Sequence, residues 1–140
     1  MRNLMLLVAP LFLAISLKAQ QQLIIEVKLN KPTAGGTLNL VVCPTAEAFA
    51  SEIGCRPVQV KAEGGVVRIV LNDVAPGTYA IKAFHDVDRN GKLDTNFMGI
   101  PKEPYGFSND AMGTFGPPSF EQASFKVVAG TTSVKFTMKG

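Results

Sequence analysis

The fold is decided by the stretch Leu-Ile-Ile-Glu-Val-Lys-Leu at residues 23–29. Its odd-numbered residues are all apolar, whereas Glu26 and Lys28 stand at even-numbered positions. Because the side chains of a β-strand point alternately to its two faces, this pattern predicts a strand with one buried face and one wet face. The same alternation recurs six more times, at Leu38/Leu40/Val42, Val58/Val60, Val67/Ile69/Leu71, Tyr79/Ile81/Ala83, Phe125/Val127 and Val134/Phe136/Met138.

Turn-forming residues separate these seven segments, at 31–36, 63–65, 73–77 and 129–131. The pattern predicts an all-β domain, a single antiparallel two-sheet sandwich of immunoglobulin-like or transthyretin-like kind with about seven strands and one long ordered loop. A small closed barrel is the competing architecture. Only residues 45–53 have helical character, with Thr45 as the candidate N-cap.

Residues 1–19 predict a secretory signal peptide. A positive start at Arg2 precedes an apolar run over residues 4–17, which is too short to span a membrane, and Ala19 offers a small residue at the cleavage site. An anchored or buried N-terminal helix is the alternative. We therefore expect residues 20–140 to form one soluble domain, periplasmic or extracellular, with no integral membrane segment after cleavage.

The net charge of the chain without its signal peptide limits the kinds of partner that it can bind. Removal of Arg2 and Lys18 with the signal peptide leaves 12 basic and 11 acidic residues. A chain so close to neutrality lacks the excess positive charge that nucleic-acid binding requires, so we predict no nucleic-acid partner. An envelope glycan or protein remains a candidate partner.

The two cysteines, Cys43 and Cys55, both lie in the exported part. In an oxidising compartment they are expected to form a disulfide, which would stabilise the domain by about 2–3 kcal/mol. Two buried free thiols are the alternative.

The chemistry-bearing part of the chain is residues 85–120. It opens with acidic and amide side chains at positions 1, 3, 5 and 9 of a calcium-loop template and a glycine at position 6. Position 7, Lys92, would offer only its backbone carbonyl, and position 12 is Phe97 where a bidentate Glu is expected. Glu103 is the nearest replacement. The candidate metal ligands are Asp86, Asp88, Asn90, Lys92, Asp94 and Glu103.

Two other interpretations of the acidic run stay open. It is also typical of a metal-free turn, because Asn-Gly is a common turn dipeptide and Asp and Asn side chains bond their own backbone. A transition metal held partly by His85 is the third interpretation, and Ca²⁺ is the cofactor that the spacing favours among metals.

The remainder of this segment is rich in aromatic residues, glycine and proline. Disordered segments lack aromatics, so we predict a packed Ω-type loop that covers one end of the sandwich with its aromatic side chains turned inward. Alternatively, Tyr105, Phe107 or Phe115 lines a ligand surface.

Several motifs of this segment together resemble a bacterial family of exported proteins, domain of unknown function family 2141. They are His85-Asp86, Asn90-Gly91-Lys92-Leu93-Asp94, Asn96, Gly99-Ile100-Pro101, Glu103, Tyr105-Gly106-Phe107-Ser108-Asn109 and Gly116-Pro117-Pro118-Ser119-Phe120. The resemblance implies an exported β-sandwich and supplies no activity, substrate or catalytic residue. The two cysteines are not part of the family pattern.

Three function hypotheses follow. The leading one is a non-enzymatic exported binding or structural module whose loop over 85–120 is shaped by Ca²⁺. The second is a hydrolase that uses His85 with a carboxylate of Asp86, Asp94 or Glu103, although no nucleophile motif supports an enzyme. The third is an adhesin-like envelope domain that binds glycan or protein through the loop aromatics.

Overall fold

The computed structural model describes residues 10–13 and 21–140. The predicted signal peptide, residues 1–19, lies outside the described residues except for the exposed coil at 10–13. No helix in the described ranges has both the length and the apolar character to cross a membrane. The elements are β1 (Gln22–Lys28), β2 (Thr37–Cys43), α1 (Ala46–Ser51), β3 (Arg56–Lys61), β4 (Val66–Asn72), β5 (Gly77–Asp86), β6 (Tyr105–Phe107), α2 (Phe120–Ala123), β7 (Phe125–Val127) and β8 (Thr131–Thr137).

The strands form two sheets, as the sequence predicts. One sheet has the order β4-β1-β8, and the other has the order β3-β2-β5-β6 with β7 also paired to β5. This confirms the all-β sandwich. One strand pair departs from the antiparallel prediction, since β1 and β8 run parallel. These strands begin and end the described fold, so no short hairpin forces them to be antiparallel.

The core lies between the sheets and is built from the alternating apolar positions. In β1 the inward residues Leu23, Ile25 and Val27 are fully buried, whereas Ile24 and Glu26 on the other face are only half-buried. Burial of an aliphatic side chain of this size stabilises the fold by about 1.5–3 kcal/mol. The period of two thus decides which face of each strand enters the core.

Strand β5 connects the core to the candidate site. One of its edges pairs with β2 along residues 80–86, and its other edge pairs first with β7 and then with β6. Strand β6 is an eighth strand that the sequence pattern does not reveal, because it has three residues and Gly106 at its centre. Gly106 packs beneath β8, where an added Cβ would lie 3.1 Å from Thr137 O.

The outer face of the second sheet carries a smaller apolar cluster. Helix α1 lies in this cluster, and it begins as predicted, with Thr45 Oγ1 accepting a hydrogen bond from Ala48 N at 3.1 Å. A disulfide joins Cys43 to Cys55 beside this helix. Helix α2, which lies outside the predicted helical residues 45–53, carries a capping box between Ser119 and Gln122. The cluster is formed by Val41, Cys43, Ala48, Phe49, Cys55, Ala80, Phe107, Ala111, Phe120 and Ala123.

The turn between β1 and β2 packs against the end of β5. A Cβ added to Gly36 would lie 2.2 Å from Asp86 O, whereas one added to Gly35 would meet open space. Both glycines have positive φ, at +73° for Gly35 and +77° for Gly36. Gly36 therefore sets how closely this turn approaches Asp86.

We expect Gly36→Ala to destabilise the domain by about 1–3 kcal/mol more than Gly35→Ala, because only the first substitution adds a clash to the cost of positive φ. Chemical denaturation of the two variants measures the difference. Equal losses of stability would show that the contact with Asp86 is not close.

Candidate metal site

The pairing register between β5 and β6 determines which side chains meet at the candidate site. These strands are antiparallel, and a 2.8 Å hydrogen bond from His85 N to Pro104 O continues their ladder into the loop. One step further along the same register, Asp86 stands opposite Glu103. Directly opposed side chains of an antiparallel pair lie on the same face, so the two carboxylates are brought together by strand pairing.

Three carboxylates meet at this point. Oxygens of Asp86, Asp88 and Glu103 all lie within 4.8 Å of one another. The Asp86 side chain is 0% exposed and Glu103 8% exposed, whereas Asp88 faces solvent. Oxygens that bind one Ca²⁺ at about 2.3–2.6 Å can be separated by at most about 5 Å. The three side chains therefore fit a shared cation.

Backbone amides of the loop hold the two buried carboxylates. Asp86 accepts from Asn90 N at 3.1 Å and from Gly91 N at 2.7 Å. Glu103 accepts from Val87 N at 2.7 Å and from Asp94 N at 3.3 Å. A carboxylate oxygen has two lone pairs, so these bonds leave capacity for a cation.

Two of the other predicted ligands, Asn90 and Asp94, bond each other. Asn90 Nδ2 donates to both oxygens of Asp94, at 2.8 and 2.9 Å. Lys92 N donates to Asn90 Oδ1 at 2.9 Å. Of the six predicted ligands, the structure gathers Asp86, Asp88 and Glu103, and Asn90 and Asp94 would have to exchange this bond to bind an ion.

The pKa values of the other two acids of the turn, Asp88 and Asp94, are shifted in opposite directions. Desolvation, together with the neighbouring carboxyls of Asp86 and Asp94, raises the pKa of Asp88 above 3.8 despite its hydrogen bond from Asn90 N. The hydrogen bond from the Asn90 side chain is the main cause that lowers the pKa of Asp94 below 3.8. A proton is thus held more firmly at Asp88, the carboxyl beside the buried pair.

Residues 25–135 match the family described as "Uncharacterized protein conserved in bacteria (DUF2141)". The chain belongs to this family. The matched span runs from β1 to β8 and contains the whole site, which confirms the resemblance seen in the sequence motifs. No curated protein and no solved structure matches the chain. The immunoglobulin-like or transthyretin-like assignment of this DUF2141 domain therefore stays a prediction.

His85 lies away from the carboxylates in this DUF2141 domain. It is fully buried at the edge of the core, as its position in the strand predicts, and its Nε2 bonds Gly35 O. Its Nδ1 has no hydrogen-bond partner among the described residues. Because Nε2 donates to Gly35 O, His85 links β5 to the β1–β2 turn. Its burial leaves no access for a substrate to the imidazole.

The loop aromatics divide into packed and exposed groups. Tyr105 and Phe107 are half-buried with ring centroids 6.1 Å apart, and Phe107 packs edge-on against Phe49 at 6.3 Å. Phe97 and Phe115 are 98% and 101% exposed. The prediction that the loop aromatics turn inward is therefore wrong for these two, because their short loops extend beyond the apolar cluster. Ligand binding by Tyr105, Phe107 or Phe115 stays a prediction.

In the metal-free protein we expect Asp88 to titrate with a midpoint above 3.8 and Asp94 with a midpoint below 3.8. Carboxyl ¹³C shifts followed by NMR measure both midpoints. In Asp94→Asn the midpoint of Asp88 should fall, since two of the causes that raise it come from Asp94. An unchanged Asp88 midpoint would show that the two carboxyls are not neighbours in solution.

The two shifts act on stability with opposite signs. Because the folded-state pKa of Asp94 is depressed, its stabilisation is present above its unfolded pKa and is lost as the pH falls through the folded value. Asp88 has a raised pKa, so its ionised form disfavours the metal-free fold and acidification removes that penalty. A cation bound near Asp88 must compete with its proton, so cation affinity should weaken as the pH falls toward the raised midpoint.

Proposed function

We propose that this DUF2141 protein is an exported, non-enzymatic binding or structural module whose loop over residues 86–103 is organised by Ca²⁺. The observation that carries the proposal is the position of Glu103 opposite Asp86 and beside Asp88, with one carboxylate oxygen from each of the three residues within 4.8 Å of the other two. In this proposal the missing acid at the twelfth template position is replaced by Glu103, which lies in the loop just before β6.

Electrostatics supports a cation. Like charges directly opposite each other in a strand pair are destabilising. Two ionised carboxylates with oxygens within 4.8 Å of each other repel by at least about 3 kcal/mol at an effective dielectric constant of about 20. Backbone amides offset part of this repulsion, and a divalent cation between the carboxylates would convert it into attraction.

The donor set favours Ca²⁺ among common metals. The three gathered ligands are carboxylates, with no imidazole or thiolate, and hard oxygens suit Ca²⁺ or Mg²⁺ better than Zn²⁺ or Cu²⁺. Mg²⁺ requires near-ideal octahedral geometry, whereas Ca²⁺ accepts irregular sets of six to eight oxygens. The exposed side at Asp88 leaves room for water or backbone carbonyls to complete such a set. A bound ion would tie the start of the loop to its end.

The geometry gives less support to the competing hypotheses. A hydrolase that used His85 would need an accessible imidazole, and His85 is buried with Nε2 bonded to Gly35 O. A stacking platform for glycan at Tyr105 and Phe107 would need free aromatic faces, and Phe107 is packed against Phe49, which leaves Phe115 as the single exposed ring among the three candidates. Neither observation favours a second function strongly enough to propose it.

Ca²⁺ should raise the melting temperature of the wild-type protein. At about a hundredfold excess over Kd, ligand binding stabilises a fold by about 2.7 kcal/mol, or roughly 10 °C for a domain of this size. Asp88→Asn should abolish most of this shift and leave the chelated protein nearly as stable, because Asn keeps an acceptor for Asn90 N. Differential scanning fluorimetry with Ca²⁺ or chelator measures both.

Glu63→Gln is the matched control for that melt. Glu63 is an exposed carboxylate at the β3–β4 turn, where it pairs with Lys61 at 3.2 Å. Its Ca²⁺ shift should equal that of the wild type. If Ca²⁺ does not change the melting temperature of the wild-type protein, the proposed calcium site is wrong. Equal shifts in all three proteins would place the ion elsewhere.

Glu103 itself distinguishes this site from a standard calcium loop. Glu103→Gln should weaken Ca²⁺ binding by at least roughly tenfold, because it removes one unit of ligand charge from the cluster. Phe97→Glu, which restores the twelfth-position acid, should not strengthen binding, since Phe97 is 98% exposed. Isothermal titration calorimetry on both variants decides the matter, and tighter binding by Phe97→Glu would favour the standard loop.

A further inference from the structure

The segment over residues 95–101 is a well-bonded hairpin beside the acidic site. Thr95 and Pro101 form an antiparallel bridge, and Asn96 N donates to Ile100 O at 2.9 Å. Asn96 Oδ1 accepts from Met98 N and Ile100 N at 2.9 and 3.0 Å. The conformation of this hairpin is therefore fixed by hydrogen bonds of its own.

This hairpin displays apolar side chains to solvent. Phe97 is 98% exposed, Met98 69% and Ile100 54%. Three large apolar residues within four positions, held away from the core by a bonded turn, form an apolar tip, which we define as residues 97–100. Such exposure is unfavourable in water, and it indicates a surface that is covered in use.

The fully exposed charges in residues 86–103, the segment that carries the apolar tip, are mostly positive. Arg89, Lys92 and Lys102 are exposed, and Lys102 directly follows the hairpin. Of the four acids between residues 86 and 103, two are buried, one is half-buried and only Asp88 is fully exposed. The fully exposed charged side chains of this segment are therefore three basic and one acidic, so the charged groups that can touch an anionic surface are mostly basic.

We propose that the apolar tip inserts into the interface of a bilayer that contains anionic lipids. A protein partner would need about 800 Å² of complementary surface and a pocket for each anchor residue, whereas three side chains spread over a convex turn offer neither. A bilayer accepts a convex apolar tip without shape complementarity, and basic residues beside it meet the lipid headgroups. This mode of binding does not require Ca²⁺, so it is independent of the proposed metal site.

Tryptophan fluorescence tests insertion directly, since the chain contains no tryptophan. Phe97→Trp places a single reporter in the tip, and Phe115→Trp places a matched reporter at an equally exposed position on a different loop. The chain is used from Gln20, which keeps all eight strands, because Leu11, Phe12 and Leu13 upstream are themselves exposed and apolar. Vesicles of phosphatidylcholine, alone or mixed with phosphatidylglycerol, are added in the presence of chelator.

With mixed vesicles the Phe97→Trp emission should shift to shorter wavelength and be quenched by brominated lipid chains, whereas Phe115→Trp should not respond. In co-sedimentation, Phe97→Ser should weaken partition by roughly ten- to a hundredfold relative to Phe115→Ser, the range expected for one buried phenyl group. Lys102→Gln should weaken binding to the mixed vesicles and change little with pure phosphatidylcholine.

Three outcomes would overturn the proposal. The first is the absence of a fluorescence response in Phe97→Trp, and the second is an equal response from both reporters. The third is a change in oligomeric state of Phe97→Ser without any change in vesicle partition, which would assign the tip to a protein contact. Because chelator is present throughout, failure here leaves the calcium titrations unaffected.

Discussion

The site depends on one constraint, the antiparallel register that sets Asp86 opposite Glu103 and buries both carboxylates. The register is fixed by β5, which pairs with β2 along one edge and with β6 along the other. Residues 87–102 form the loop that joins these two acids. Their four oxygens organise the loop by accepting amide hydrogens from Val87, Asn90, Gly91 and Asp94. The same placement concentrates negative charge where little water reaches it.

The two outer faces of the sandwich differ in what covers them. The outer face of the first sheet is left uncovered, with Glu26 and Arg68 paired at 3.8 Å and Val66 and Val70 exposed on the same face. The second sheet is covered by α1, α2 and their aromatic contacts, including Phe49 with Phe120 at 6.1 Å. The loop over residues 87–102 begins at the end of β5 in the covered sheet. Because β5 is paired along both of its edges, the start of the loop is held in place. This arrangement provides a rigid support for the loop that we propose to bind an ion and a membrane surface.

Much of the fold follows from the sequence, because a period of two determines which side chains a sandwich can bury. The seven predicted strands all form, and Thr45 caps the predicted helix. Strand β6 gives no such signal, since three residues around Gly106 cannot show a period. Pairing between distant strands is likewise absent from local patterns, as the parallel β1–β8 pair shows.

The candidate site was accessible to sequence reasoning only in part. Spacing singles out Asp86 and Asp88, and the absence of an acid at position 97 directs attention to Glu103. The mutual bond of Asn90 and Asp94 depends on loop geometry that a linear template does not contain. The exposure of Phe97 was missed for a related reason: the hydrogen bonds of Asn96 keep the hairpin clear of the core.

The central claim, that Asp86, Asp88 and Glu103 hold one cation, is tested most directly by anomalous diffraction from crystals grown with Tb³⁺, which shares calcium's preference for oxygen ligands. We predict an anomalous peak within bonding distance of all three carboxylates, and its loss from crystals of Glu103→Gln. A well-ordered loop without a peak, or a peak that contacts Asn90 and Asp94 but not Glu103, would contradict the account.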